Sequence, residues 1–424
     1  LTDMLRLLKR KSKDAYRLAA NFIKWILIAA VAGAVGGLIG SAFVISVRYS
    51  NNIFFRYRWL IFLLPAGGLL IAALYRLADF DEVKGCNRVI EKVRAEEEMP
   101  FRIAPLIFVC TVITQILGGS AGREGAAIQI GGAVGTKIGN LFKLGEKDMP
   151  LIILSGVSGL FSALFGTPLT AAFFALEAIS VGIIHYSGLV PCLSSALVSY
   201  GVSRLFGLSG QHWDFVQVPA LDIVTVLKVA LIGICGAALS VIFILSIDYT
   251  KKLAGMITDN KFIKIAAGGC MVIILSLIFS SGDFNGTGTA VIRDALRGNT
   301  QPWDFIVKVL FTAVTLGTGF KGGEIIPTFF IGSTMGCTVA ALIGLNPGFG
   351  AAAGLTATFC GAVNCPVASI FLGLELFGVS STGAVYFAVA CAVSYLLSGY
   401  YSLYGSQKII YSKTRAEYIN INAK

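Results

Sequence analysis

The sequence predicts an all-α polytopic membrane protein, built from two related halves of tilted and broken transmembrane helices. Three observations predict it: an apolar excess, long runs almost free of charge, and a self-match near 200 residues. Apolar residues make up 56% of the 424 positions and charged residues 13%. An ordinary soluble domain has roughly 45–50% and about 25%. Between Arg17 and Arg48 the only charge is Lys24, and Trp59 to Leu74 and Ile152 to Ala175 carry none. A bilayer-spanning helix needs about 20 apolar residues. Roughly ten candidate segments recur along the chain, so neither a signal peptide nor a single anchor explains the pattern.

The segments differ in kind. Long ones at 20–48 and 220–249 alternate with short ones broken by Gly and Pro, at 85–94, 124–141, 166–180, 324–341 and 366–378. Short, interrupted segments at corresponding places in two halves mark the binding site of a transporter. At an offset of 198, Gly156 falls on Gly354, Phe161 on Phe359, Pro168 on Pro366, Phe173 on Phe371 and Glu177 on Glu375. At an offset of 201, Gly131 meets Gly332 and Gly135 meets Gly336. We therefore expect one transmembrane domain over 1–424, with halves at 18–206 and 220–412 joined around Ser209 to Pro219. Few residues follow Ser412, so no C-terminal regulatory domain is expected.

The net charge is +11, from 34 basic and 23 acidic residues. The cations gather at the ends: Arg6, Lys9, Arg10, Lys11, Lys13 and Arg17 before the first span, Lys408, Lys413, Arg415 and Lys424 after the last. Positive flanks mark the cytoplasmic side, so both termini are expected there, in a cell membrane crossed an even number of times. A nucleic-acid partner would want one basic face instead. Most of the nine cysteines lie in apolar segments without metal spacing, and His185 and His212 stand apart. They read as packing residues, and neither cofactor nor metal is expected. Acidic 91–98 reads as a solvated loop.

The sharpest motif is Gly118-Gly-Ser-Ala-Gly-Arg-Glu-Gly-Ala126, a Gly-rich lead into an apolar helix. A helix start offers unpaired N–H groups and a positive dipole end, which attract anions. A phosphate loop would need Lys and then Ser or Thr after its last Gly; Ala126 and Ala127 stand there. The expected activity is thus transport, not enzyme chemistry. Glu124 sits in this helix start, and a carboxylate inside a membrane points to function. Ionised, it would imitate the transported anion; protonated, it would swing away and admit it. The second half repeats the device in Gly317-Thr-Gly-Phe-Lys-Gly-Gly-Glu-Ile-Ile-Pro327, which places Glu324 near a second helix start. Glu177 and Glu375 read more as caps than as carriers, and Arg123 more as a backbone ligand than an ion ligand.

At these residues the chain resembles the CLC family of chloride channels and anion/proton antiporters. Gly122-Arg-Glu-Gly125 looks like the family's gating-glutamate signature, and Gly322-Gly323 with Pro327 like its Gly-x-Phe-x-Pro motif. Gly166-Thr-Pro-Leu with Leu176-Glu177 is similar to its Pro-Leu-Ala-Gly…Ile-Glu-Glu segment, and Tyr404 to the tyrosine lining the central anion site. The resemblance implies inverted repeats, a homodimer and one anion path per subunit. That path would involve Gly85, Cys86, Asn87, Arg123, Gly125, Gly323, Ile325, Ile326 and Tyr404, with Glu124 as gate and Glu324 as central partner.

Departures narrow the reading. Where chloride members carry Gly-Ser-Gly-Ile-Pro, this chain has Gly85-Cys86-Asn87-Arg88-Val89. Ala178 replaces the internal proton-transfer glutamate of the antiporters, and Glu324 stands where chloride members are apolar. These changes resemble the fluoride-exporting branch, which implies a fluoride/proton antiporter with fluoride, protons and membrane lipid as partners. A chloride/proton exchanger or chloride channel of the same fold is the alternative. A scramblase or purely structural membrane protein fits less well, given two glutamates at Gly-rich helix starts.

Overall fold

A computed structural model describes the chain except residues 1, 81–84, 96, 209, 211, 214–215, 280–281 and 380, with side chains from residue 11 onward except at 12. Glu96, Ser209 and the side chains of Arg6, Lys9 and Arg10, used in the expectations above, lie outside the described residues.

The first half runs α1 (Thr2–Arg56), α2 (Leu64–Leu77), α3 (Asn87–Arg94), α4 (Ile103–Ile116), α5 (Glu124–Leu141), α6 (Met149–Phe165), α7 (Pro168–Glu177), strand β1 (Ser180–Val181) and α8 (Leu189–Leu205). The second runs α9 (Ile223–Ile257), α10 (Lys261–Phe279), α11 (Thr289–Leu296), α12 (Asp304–Gly317), α13 (Ile325–Leu342), α14 (Pro347–Val363), α15 (Pro366–Phe377), α16 (Ser381–Leu397) and strands β2 (Lys408–Tyr411) and β3 (Tyr418–Asn422). By length and composition, five spans are long and apolar enough to cross a membrane, at Lys13–Arg56, Arg58–Leu77, Ile223–Ile257, Lys261–Phe279 and Ile325–Leu342. Ile263, Met271, Ile274 and Leu277 of α10 point outward. Shorter apolar helices complete the bundle. A small sheet departs from helix: β1 pairs in parallel with β2, and β2 antiparallel with β3.

One expectation is corrected. Residues 91–94 of the acidic stretch are helical, not loop, and form the end of α3. The reason is amphipathicity: Val89, Ile90 and Val93 share a buried face at helical spacing, which turns Glu91, Lys92 and Arg94 outward.

Small residues set the closest packing. A Cβ added at Gly131 would lie 2.6 Å from the Gly156 carbonyl oxygen, and one at Gly332 2.6 Å from that of Gly354. The pairs α5/α6 and α13/α14 thus approach through equivalent Gly-xxx-Gly ridges, the membrane route to close helix contact. They point opposite ways. From the centre, α5 runs to Asn140, whose amide meets Glu98, and Asp148, the N-cap of α6 just beyond, pairs with Lys24 at 3.1 Å. In contrast α13 climbs to Gly344, whose carbonyl receives Lys228 from the first turns of α9 at 2.9 Å.

The halves also exchange glutamates. Each of α7 and α15 begins with Pro, and its N-cap residue, Thr167 or Cys365, makes no side-chain cap. Glu375 of α15 accepts from the N–H groups of Leu169 and Thr170 at 2.9 and 2.8 Å. Glu177 of α7 accepts from those of Val367 and Ala368 at 3.2 and 2.9 Å. These are second- and third-position donors that a helix start leaves unpaired. The repeat-related Phe173 and Phe371 stack between them at 4.9 Å. Both glutamates are therefore caps in trans, as their late positions suggested.

Losing such a cap costs about 0.5–2 kcal/mol. We expect Glu177→Ala and Glu375→Ala each to lower thermal stability in detergent by about that amount. Because the two caps share one interface, the double variant will lose less than the two single losses added together. Unchanged melting for both singles would contradict the capping role.

Candidate anion site

The site forms where α5 and α13 begin. Gly122 N–H donates to the Gly323 carbonyl at 2.7 Å, and Gly323 N–H returns to Gly122 at 2.9 Å. This two-bond antiparallel bridge ties the helix starts head to head, and the helices then leave toward opposite faces. Side chains are excluded at the bridge: a Cβ at Gly323 would lie 2.6 Å from Glu124 Oε2 and from the amide nitrogens of Glu124 and Gly125. The approach is braced from α4 and α12. Gln115 Nε2 donates to the carbonyls of Ala121 and Gly122 at 2.7 and 3.2 Å. Ser120 N–H donates to Thr315 Oγ1 at 3.2 Å, and its hydroxyl meets Thr312 Oγ1 at 3.0 Å.

Glu124 is fully buried. Its Oε2 accepts from Ile326 N–H, in the first turn of α13, at 3.3 Å. The carboxylate of one half thus sits on the helix start of the other, where a free anion would find its donor. Its Oε1 has no hydrogen-bond partner among the described residues. Glu324 occupies the N-cap position of α13 and is half-buried. Its carbonyl is taken by Thr328, and its side chain lines a cavity of about 360 Å³ with Gly85, Cys86, Asn87, Gln129, Lys251 and Tyr404. A second cavity, of about 620 Å³, is lined by Arg48, Asn51, Arg123, Arg293, Arg297 and Ile326.

The two cavities open to opposite faces. The last turns of α1 line the Arg123 cavity. Lys24, about 24 residues or 36 Å back along that helix, pairs with Asp148 on the other face. The C-terminal strand belongs to the Glu324 face, because Lys424 N–H donates to Tyr400 and its carbonyl accepts from Ser402, beside Leu403 and Tyr404. Glu124 and the glycine bridge separate the cavities. Arg48, Arg123, Arg293 and Arg297 line one, and Arg88, Lys251, Lys261, Lys264 and Lys321 the other. Cationic clefts of this kind concentrate anions.

The remaining expected residues divide into lining and support. Tyr404 is buried beside the Glu324 cavity, edge-on to Phe174 at 6.3 Å. Gly85 has a left-handed φ of 41° with open space at its Cβ position. Cys86 Sγ donates to the Gly125 carbonyl at 3.3 Å, so the thiol fastens the α5 start. Asn87 Oδ1 accepts from Ser406 N–H at 3.0 Å, which ties α3 to the Tyr404 loop. Arg123 is buried with its Nη2 on the Leu164 carbonyl at 3.1 Å, near the end of α6, a place that suits a cation. Ile325 is packed in the core, while Ile326 contributes its N–H. Sequence reasoning missed Gln115 and the lysines of the Glu324 cavity. Gln115 had a signal, as the amide in the otherwise apolar and hydroxyl-bearing α4. The lysines belong to segments whose meeting only the fold reveals.

The chain is similar to known proteins over most of its length. A family model described as "Voltage gated chloride channel" matches residues 67–399. A "Chloride/fluoride channel protein" of Pseudomonas syringae pv. tomato is 32% identical over 397 residues, covering 92% of this chain and 87% of its own. An "H(+)/Cl(-) exchange transporter ClcA" of Vibrio campbellii is 25% identical, covering 83% and 81%. The solved structure of "a CLC-type fluoride/proton antiporter" superposes with a TM-score of 0.87 at 30% identity, over 91% of this chain and 98% of that one.

A methyl group at Gly323 must displace either the Glu124 carboxylate or the backbone of the bridge. We expect Gly323→Ala to lose about 1–3 kcal/mol of stability. Gly145→Ala, where a Cβ meets nothing within 4 Å, should stay within about 0.5 kcal/mol of the parent. Thermal unfolding of the two purified variants checks this, and equal stability would contradict the crowding at the bridge.

Proposed function

The chain belongs to the voltage-gated chloride channel (CLC) family, and within that family we propose that it is a fluoride/proton antiporter. The observation that carries the reading is the Glu124 carboxylate on the Ile326 N–H. A group that fills an anion's place only while ionised is displaced either by an anion or by protonation. Binding of a proton and vacating of the anion site then become one event, which couples the two flows.

In the proposed cycle, a proton arriving from the Arg123 cavity neutralises Glu124. The neutral side chain releases the α13 start, and fluoride from the Glu324 cavity takes the vacated N–H donors. Glu324 receives the inbound proton and passes it to that cavity. Fluoride is favoured over chloride because it is a small and strong acceptor. A protonated Glu324, and the Tyr404 hydroxyl of the same cavity, can donate to it in short, strong hydrogen bonds. Cys86, standing where chloride members carry an anion-coordinating serine, spends its hydrogen on Gly125 and offers chloride little. Proton movement inward down its gradient then drives fluoride out. The chain acts as a carrier with no covalent chemistry, in the cell membrane, as a homodimer with one path per subunit. The Glu324 face, with both termini, is cytoplasmic, in line with its basic flanks.

The test uses purified protein in vesicles, recording fluoride efflux and pH together. Glu124→Gln, fixed in the neutral state, is expected to abolish proton transport. Glu324→Gln is expected to abolish proton coupling while keeping at least a tenth of the fluoride flux. Unchanged proton-to-fluoride coupling in Glu324→Gln would overturn its role, and equal or faster chloride movement in the parent would favour the chloride exchanger.

A further inference from the structure

Lys308 lies in the second turn of α12 and is fully buried. Among the described residues it forms no ion pair. Its ammonium instead donates to two backbone carbonyls, Phe284 and Gly286, each at 3.0 Å, and sits over the Phe330 ring at 5.1 Å. An ionisable group inside a membrane protein is costly and rarely idle. Nothing in the proposed cycle uses it.

The two carbonyls flank Asn285, and Asn285 leads to the gate. Its Nδ2 donates to the Gly118 carbonyl at 2.9 Å and to Ser276 Oγ at 3.0 Å. Gly118 opens the Gly-rich approach to Glu124. Two residues on, Ser120 is held by Thr312 and Thr315. Lys308, Thr312 and Thr315 are spaced i, i+4 and i+7, which aligns them on one face of α12. One polar stripe in the second half therefore holds the gate approach of the first half at two points. Thr312 and Thr315 hold it directly, and Lys308 holds it through the 284–286 turn. Both flanking carbonyls are buried where they meet the ammonium, in a turn where Gly286 takes a left-handed φ of 57°. The ammonium, with three N–H groups, satisfies both at once.

We propose that Lys308 is a positioning residue for the gate: it fixes the 284–286 turn, so that Asn285 anchors Gly118 and Glu124 reaches the Ile326 N–H. Gating demands this because the Glu124 carboxylate must return to one backbone donor in each cycle. A loose approach would let the anion site open without a proton.

The test compares Lys308→Met, unbranched and one atom shorter but without donors, with Asn285→Ala, which removes the Gly118 anchor and the Ser276 contact but leaves the ammonium in place. Two quantities are read in each: the proton-to-fluoride coupling ratio in vesicles, and hydrogen exchange of the amides at 118–122. Both variants are expected to lower the coupling ratio at least threefold while fluoride still leaks, and to speed exchange at 118–122 at least tenfold. A merely structural role would lower protein yield and melting temperature but leave the ratio unchanged. Wild-type coupling and exchange in Lys308→Met overturn the proposal. If that variant does not fold, wild-type values in Asn285→Ala overturn it. The coupling readout rests on the antiporter reading. Absence of coupled transport in the parent would overturn that reading by itself, and exchange at 118–122 then decides the role of Lys308.

Discussion

Backbone that leaves the helix in the middle of a membrane must find its hydrogen bonds inside the protein. Here that requirement is met at one point by Gly122 and Gly323, which satisfy each other through two bonds. Much of the arrangement around the site depends on this bridge. It sets two helix starts against each other, so that α5 and α13 diverge toward opposite faces. It requires glycine, because the space a side chain would fill belongs to the Glu124 carboxylate. Two cationic cavities lie beside it, one lined by Arg123 and Ile326 and the other by Gly322 and Glu324.

The same economy appears in how the halves are joined. Each half supplies an acid to the other half's helix start: Glu124 to α13, Glu177 to α15 and Glu375 to α7. The local chemistry is alike, since carboxylates favour unpaired N–H groups and a positive dipole end. Multiplicity separates the caps from the gate. Glu177 and Glu375 each hold two consecutive backbone donors, which pins them. Glu124 holds one, at 3.3 Å, and one of its oxygens has no hydrogen-bond partner among the described residues. In the proposed cycle Glu124 is the carboxylate that moves, while Glu177 and Glu375 stay in place as caps.

Much of this was legible in the sequence, for identifiable reasons. Apolar runs and Gly-rich helix starts are local signals, so the expected short segment 124–141 and the observed α5 agree, and 324–341 differs from α13 by one residue. The Gly131/Gly332 and Glu177/Glu375 matches survive because both halves solve the same packing and capping problems. What stayed hidden is contact between segments far apart in the chain. No local pattern says that Asn87 faces Ser406, that Gln115 braces Gly122, or that Lys308 supports the approach to the gate. The acidic stretch misled because its charges outweigh three buried aliphatic residues, Val89, Ile90 and Val93, that make its first part a helix. The strands after Lys408 were equally obscure, since β2 takes its parallel partner from residues 180–181.

In the proposed cycle fluoride and the Glu124 carboxylate compete for one site and protonation takes the carboxylate out of it, so that either gradient drives the other. The most direct measurement imposes a pH difference across vesicles that hold equal fluoride inside and outside, and follows fluoride with an electrode. A fluoride/proton antiporter will move fluoride uphill, out of the compartment toward which protons flow, and will move chloride far less under the same conditions. Fluoride that stays at equilibrium while the protein conducts it would rule out coupling, and would make the protein a passive anion path.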